Sequence, residues 1–408
     1  MNTEQTKKTV LIGFADALAA PEVFFSLYHN GYNVRVFQRA NSSVPLSRLL
    51  PVGEPFKICA PEQNADLAKD DLAEILRTNQ DIDILLAMDD TSLWLTNEAL
   101  NALGADDHKP AFANASGAQK SLALDKTQQI EAAKAAGLSV PPTLVVTSPE
   151  SLTDIKNFPT IVKPALAISM TSERNLSKGD SHYLFDEDAV QKLAKADTLV
   201  FPLLVQPLIH GIGQGVFGFA GHKGVSQIFG HQRIRMMNPH GSGASACVSM
   251  KPDAELVEQV KTLITSVGWR GPFMVEFLTD DDGTHWFVEL NGRLWGSTAL
   301  SRRHGYEYPT WAVEQATDPE FIPGNLAAVR SDSPVRHLGR DLLHLLFVLR
   351  GPKSEFHAER WPSFLKSLSG VLSRHARPGF YNYDRAFPLF FLRDALATVL
   401  KAVRKRSK

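Results

Sequence analysis

Pro272-Phe-Met-Val-Glu-Phe-Leu-Thr279 and His285-Trp-Phe-Val-Glu-Leu-Asn291, separated by Asp280-Asp-Asp-Gly283 and Thr284, are the most strongly alternating stretch of the chain. A period of two on both sides of a turn-forming cluster predicts a β-hairpin. With Asp282 and Gly283 as the turn pair, Glu276 falls directly opposite Glu289. Asn291, two residues on, projects from the same face. Two carboxylates facing each other repel unless a cation lies between them. With an amide oxygen added, the set is all oxygen and suits Mg2+, which commonly shares phosphate oxygens with a substrate. The competing reading is a pair of solvated glutamates on an open face, with Phe273, Val275, Phe277 and Trp286 forming the buried one.

Upstream of the hairpin, strands alternate with helices. Val10-Leu-Ile12, Asn33-Val-Arg-Val-Phe37 and the run from Asp83 to Met88 read as buried strands, and Ser92 to Leu100 as a helix. This alternation predicts a parallel sheet covered on both faces. A Gly-x-Gly-x-x-Gly fingerprint is missing, since only Gly13 follows the first strand, so no dinucleotide cofactor is expected. A helical pattern from Gln119 to Gly137 leads through Val140-Pro-Pro into strands at Thr143–Val146, Thr160–Pro164, Thr198–Phe201 and Leu203–Ile209. Residues 215–237 and 244–250 look strand-rich, Glu255 to Gly268 helical, and 340–350 and 386–404 helical again. The segmentation implied is 1–118, 119–325 with a smaller unit at about 143–206, and a helical extension over 326–408.

Lys163 ends an apolar strand, a position that suits a phosphate ligand, although an exposed lysine at a strand end is as common. Lys126 lies on a helical stretch and is the weaker signal. His231, Arg233 and Arg235 alternate on one strand face beside the glycine-containing loop 238–243, which suits a carboxylate or phosphate, or simply a solvent-facing strand. Gly117-Ala-Gln-Lys-Ser121 lacks the glycine before lysine that a phosphate loop needs, and no serine-hydrolase elbow or zinc motif occurs.

The 408 residues, 44% hydrophobic and 21% charged, exclude global disorder and suggest two or three domains. Lys plus Arg number 43 and Asp plus Glu 44, and this balance argues against a nucleic-acid partner bound through bulk charge. Two cysteines, Cys59 and Cys247, allow no zinc cluster and at most one bridge; two reduced core thiols are expected. No apolar run approaches the length of a membrane span. Lys7-Lys8 before an apolar run and Ala17-Leu-Ala-Ala20 mimic a signal peptide, but Asp16 interrupts it, so a cytoplasmic chain is expected. The basic C-terminal helix, Phe387 to Lys408, reads as a frayed end, with contact to an anionic membrane surface as the lesser alternative.

The order of motifs carries a resemblance. Ala123-Leu-Asp-Lys126, Ala136-Gly137 and Val140-Pro141 are followed by Ile161-Val-Lys163-Pro164, Leu204-Val-Gln-Pro-Leu-Ile209, Met274-Val-Glu276-Phe277 and Val288-Glu289-Leu-Asn291-Gly-Arg293-Leu-Trp-Gly-Ser297. From residue 8 to about 325 the chain resembles the ATP-grasp superfamily, in its carboxylate–amine ligase branch that is similar to carbamoyl-phosphate synthase. The resemblance implies an α/β (α+β) fold: a Rossmann-like parallel-sheet domain, a mobile small subdomain, an antiparallel central sheet and a helical extension. It implies ATP and Mg2+, with Mn2+ as a substitute, and small carboxylate and amine substrates. Lys126 and Lys163 would meet the nucleotide phosphates, and Gln206, Pro207 and Leu208 the adenine, through backbone groups. Many relatives have glutamate in place of Gln206. Glu276, Glu289 and Asn291 would hold the metal, and Arg293 would lie near the transferred phosphoryl group. Arg233 or Arg235 would hold the acyl phosphate or a substrate carboxylate. Where many relatives carry a glycine-rich flap, this chain has Ala165 to Arg174, with Ser169, Thr171 and Ser172 as substitute donors. The function implied is amide or peptide-like bond formation through an acyl phosphate, with a homodimer at family level. Its rivals are a non-catalytic Mg-ATP-binding scaffold on the same fold and a ligase for a sugar or natural-product acceptor.

Overall fold

The computed structural model describes residues 7–196, 199–241, 243–324, 326, 334–373 and 379–404. The first sheet is parallel and five-stranded, ordered Phe56–Ile58, Asn33–Arg39, Thr9–Gly13, Ile84–Ala87, Ala111–Phe112. Thr9–Gly13 and Ile84–Ala87 are buried along their whole length, as strands covered on both faces must be. At the carboxyl end of Ile84–Ala87, Asp89 caps the helix Asp90–Asn101 by accepting the Ser92 amide at 2.7 Å. The carboxyl ends of parallel strands are where such sheets receive ligands.

A second, antiparallel sheet is ordered His182–Leu184, Thr160–Pro164, Leu203–Pro207, Leu144–Val146. Along Thr160–Pro164, buried residues alternate with half-buried Ile161 and Lys163, so Val162 joins the core of this unit while Lys163 faces away from it. The strand expected at Thr198–Phe201 is irregular over 199–201, and Thr198 lies outside the described residues. The helix expected over Gln119–Gly137 is two, Gly117–Leu124 and Lys126–Ala135. Asp125 breaks them by accepting the Thr127 amide at 2.8 Å, which puts Lys126 in a helix's first turn.

The third sheet has seven strands: His285–Asn291, Gly271–Thr279, Ile212–Gly221, Gly224–Met236, Ala244–Met250, Pro334–Arg336, Gly379–Phe380. The last two come from the segment expected to be purely helical. They cover the edge of Ala244–Met250 before and between the helices Leu338–Leu349, Phe364–Leu372 and Pro388–Arg404. No helix among the described residues is long and apolar enough to cross a membrane. Cys59 and Cys247 are both free thiols.

Three layers converge on Glu22, which is 1% exposed in the helix Ala20–His29. Its Oε2 accepts Arg302 Nη1 at 2.6 Å and its Oε1 the backbone amide of Asn382 at 2.7 Å. Breaking a buried ion pair leaves an uncompensated charge and costs about 3 kcal/mol or more. Glu22→Gln is therefore expected to lower unfolding stability by about that amount in a urea titration. A loss under about 0.5 kcal/mol would mean that the contact holds nothing together.

Candidate active site

A cleft of about 920 Å³ opens between the three sheets, with walls from the carboxyl end of the parallel sheet, the Lys163 strand, the central hairpin and the C-terminal helices. Glu276 and Glu289 are paired across the hairpin ladder, as the sequence predicts, but not through the turn expected. Pairing begins at Thr279 and His285, around a five-residue loop. Asp280 closes this loop by accepting the Thr284 amide at 2.8 Å and Trp286 Nε1 at 2.7 Å. A one-residue bulge at Val288 then restores the register at the glutamates. The bulge also reverses the expected facing of the aromatics. Trp286 lines the cleft, and Phe287 packs on Phe277 with ring centres 6.4 Å apart.

Burial pushes the Glu276 carboxyl above its ordinary range; Arg233, 2.6 Å away, opposes this, and Glu289 adds to it. Arg233 lies across Gly213, where a Cβ would come within 2.6 Å of the arginine Cδ, so the glycine makes room for that contact. Asn291 is 6% exposed and donates Nδ2 to Met274 Sδ at 3.7 Å, while its Oδ1 has no protein partner among the described residues. No cluster of three or more His, Cys, Asp or Glu side chains that could hold a metal occurs among the described residues. A cation at the glutamate pair would therefore take Asn291 Oδ1 as its third protein ligand, and two carboxylates with an amide oxygen fit Mg2+.

Lys163 faces this pair from the opposite wall. Burial pushes its ammonium down to about 8, against the pull of Glu289. Arg293 Nε lies 3.3 Å from Asp90 Oδ1. Burial would raise Asp90, yet Arg293, Lys178 and Lys126 together hold it below the ordinary carboxylate range. Lys126 thus stands at the margin of the cleft, close enough to act on both Asp90 and Lys163.

In the expected hinge, the Gln206 carbonyl accepts the Thr160 hydroxyl at 2.5 Å and its Nε2 donates to Thr143 Oγ1 at 2.8 Å. The Leu208 amide donates to the Pro159 carbonyl at 3.0 Å. These groups are occupied within the protein. The next amide, Ile209, lines the cleft and has no partner among the described residues. Arg235 also differs from expectation. A bulge after Arg233 turns it toward the C-terminal helices, where Nη1 lies 2.5 Å from buried Asp341. Arg233 alone of the two is engaged with the glutamates.

Neither a family model nor a curated relative matches the chain. Solved structures do. An L-amino acid ligase from Bacillus licheniformis superposes with a TM-score of 0.57 at 17% identity, over 81% of this chain and 79% of that one. An N5-carboxyaminoimidazole synthetase from Staphylococcus aureus gives 0.57 at 16% identity, over 80% and 81%. The biotin carboxylase domain of a Hydrogenobacter thermophilus 2-oxoglutarate carboxylase, solved with MgADP, ADP and bicarbonate, gives 0.60 at 14%, over 80% and 73%. The chain has the ATP-grasp fold.

On this fold, the segment expected to substitute for a glycine-rich flap leads into a hairpin, Ser169–Met170 paired with Leu176–Ser177. It is clasped to the parallel-sheet layer: Arg174 donates twice to Asp66, at 2.8 and 2.7 Å, and Leu176 donates its amide to Pro61. Just beyond it, Lys178 enters the cleft 3.7 Å from Asp89. Lys178, Asp89 and Asp90 belong to the site and escape sequence reasoning. Asp89-Asp90 after an apolar strand was their only signal.

Proposed function

We propose that this chain is an ATP-dependent carboxylate–amine ligase that activates a carboxylate as an acyl phosphate and passes it to an amine. The observation that carries this reading is the opposed pair Glu276 and Glu289, with Asn291, in one cleft with Lys163, Arg233 and Arg293. When bound there, Mg2+ would neutralise the glutamate pair and the phosphate oxygens they face. Lys126, Lys163 and Lys178 would hold the nucleotide phosphates, and the unpaired Ile209 amide would meet the adenine edge. A carboxylate oxygen attacks the γ-phosphorus as its bond to the bridging oxygen of ADP breaks. Two anions must meet for this step, and Arg293 and Lys163 offset their repulsion and follow the charge as it spreads over the transferring group. The amine nitrogen then attacks the acyl carbon, loses a proton and expels phosphate. The hairpin at 169–177, clasped to the opposite layer, would keep water from the acyl phosphate.

ADP release from Mg-ATP, measured across amino acids and small carboxylates offered singly and in pairs, tests this. Pair-dependent ADP is expected, together with a hydroxamate when hydroxylamine replaces the amine. ADP without hydroxamate would place the phosphoryl group on another acceptor. Silence with a Mg-ATP-dependent rise in melting temperature would favour a binding-only protein.

A further inference from the structure

Five arginines line the cleft, and four of them have a carboxylate partner: Arg233 with Glu276, Arg235 with Asp341, Arg293 with Asp90 and Arg360 with Asp281. Arg340 does not. It sits in the first turn of the helix Leu338–Leu349, enclosed, and its one hydrogen bond among the described residues runs from Nη1 to the Ala244 carbonyl at 3.0 Å. A guanidinium has five N–H donors, so most of this cation's capacity is unused. Burial pulls its affinity for protons down, and Asp394, beyond ion-pair distance, opposes this only in part.

Around it are further polar groups short of partners. The buried Tyr381 hydroxyl meets only the Cys247 thiol, a weak sulfur partner, and no oxygen or nitrogen acceptor among the described residues. Trp295 Nε1 and both ring nitrogens of His231 are buried and have no partner among the described residues. All line the same cleft. Burial holds His231 neutral, with its affinity for protons pushed down to about 3, so it offers hydrogen bonds and no charge. Its edge-on contact with Phe217, 4.9 Å between ring centres, and the Trp295–Phe217 contact at 4.6 Å make an apolar floor beside these donors. Orphaned buried polar groups are rare, and the Trp295 donor, the one His231 N–H and the weakly engaged Tyr381 hydroxyl in one cleft ask for a shared acceptor.

We infer that this end of the cleft binds the free carboxylate of the amine substrate, held by Arg340 and the Tyr381 hydroxyl with its body against His231 and Trp295. The acceptor class is therefore an amine that carries its own carboxylate, an amino acid or a short peptide. This rests on the ligase reading for its chemistry. The position supports it. His231 lies in one cross-strand row with Glu276, through Gly215, two strand spacings or about 10 Å away. The Cys247 strand is one spacing further. A carboxylate seated at Arg340 thus stays clear of the phosphoryl end, already served by Lys163 and Arg293, while an amine on the same molecule extends toward it. Arg340 and Tyr381 come from the C-terminal segment, which gives that segment a role in substrate choice.

The test offers the full-length protein Mg-ATP, the activated carboxylate and each of the twenty L-amino acids against its own carboxamide. Free acids are expected to be used at least about tenfold better than their amides. In Arg340→Gln the KM for the acids should rise about 10- to 100-fold with kcat changed much less, and the preference for acid over amide should vanish. Tyr381→Phe should give a smaller loss, and Arg340→Lys should recover part of the affinity. Ligation with unchanged KM and preference in Arg340→Gln overturns the assignment and leaves the ligase reading standing. If no pair releases ADP, the same acids and amides are compared by thermal shift with MgADP. Stabilisation by acids alone, lost in Arg340→Gln, keeps the anion site and removes the ligase reading. Equal or no stabilisation by acids and amides overturns the site as well. Should Arg340→Gln fail to fold, Arg340→Lys and Tyr381→Phe carry the same comparison.

Discussion

Glu289→Gln is expected to cut ADP formation from Mg-ATP by about 100- to 1,000-fold while the protein without nucleotide melts no lower than the parent. The two halves of this result have one cause. Glu289 faces Glu276 directly, and burial already raises the Glu276 carboxyl. Replacing one carboxylate by its neutral isostere removes a like-charge contact with Glu276 together with the attraction to Lys163, so the two offset and stability is roughly held. The same change removes one of the two negative charges that can hold Mg2+, so the melting increment produced by Mg-ATP should largely disappear. Turnover retained in Glu289→Gln would remove the metal assignment. A clear loss of stability accompanying the loss of turnover would make the glutamate structural instead.

The affinity for ATP should fall as pH rises through 8. Burial holds the free Lys163 ammonium near 8, and phosphate binds the protonated form. Below pH 8 the charge is already present. Above it, binding must draw in a proton, so the dissociation constant should climb by up to about tenfold per pH unit until the higher value set by the bound phosphates is reached. Lys163→Arg, charged at every accessible pH, should flatten this profile while keeping much of the affinity. Lys163→Met should be flat and weak. A parent-like slope in either variant would assign the proton to another group.

How much of this was legible in the sequence depends on the range of the forces involved. The opposed glutamates were readable because period-two alternation is local and a buried hairpin tolerates no slip of one residue. The turn was not. Asp280 takes three donors at once, and the compensating bulge at Val288 has no sequence mark of its own. Lys163 could be read from its strand, but Lys126 looked like a mid-helix residue because Asp125 works as a cap only when the preceding helix stops at Leu124. Arg235 shares a parity with Arg233 in the sequence and loses it at a bulge. Arg340 and Tyr381 stand in a segment that the sequence leaves undecided between acceptor choice and dimer contacts, since only the addition of two late strands to the central sheet brings them to a cleft whose walls reach back to Ala17.

Those late strands also set an order of assembly. The edge of Ala244–Met250 is paired by Pro334–Arg336, which is itself paired by Gly379–Phe380, while Glu22 near the amino end receives the amide of Asn382. A chain emerging from the ribosome therefore carries an unfinished sheet edge, and a glutamate still without the Asn382 amide, until the strand Gly379–Phe380 and Asn382 have been made. Open edges of this kind recruit strands from other chains. Newborn copies should thus depend on chaperones until their last turn of sheet is laid down, and a message broken after the hairpin codons would yield aggregates in place of a smaller enzyme.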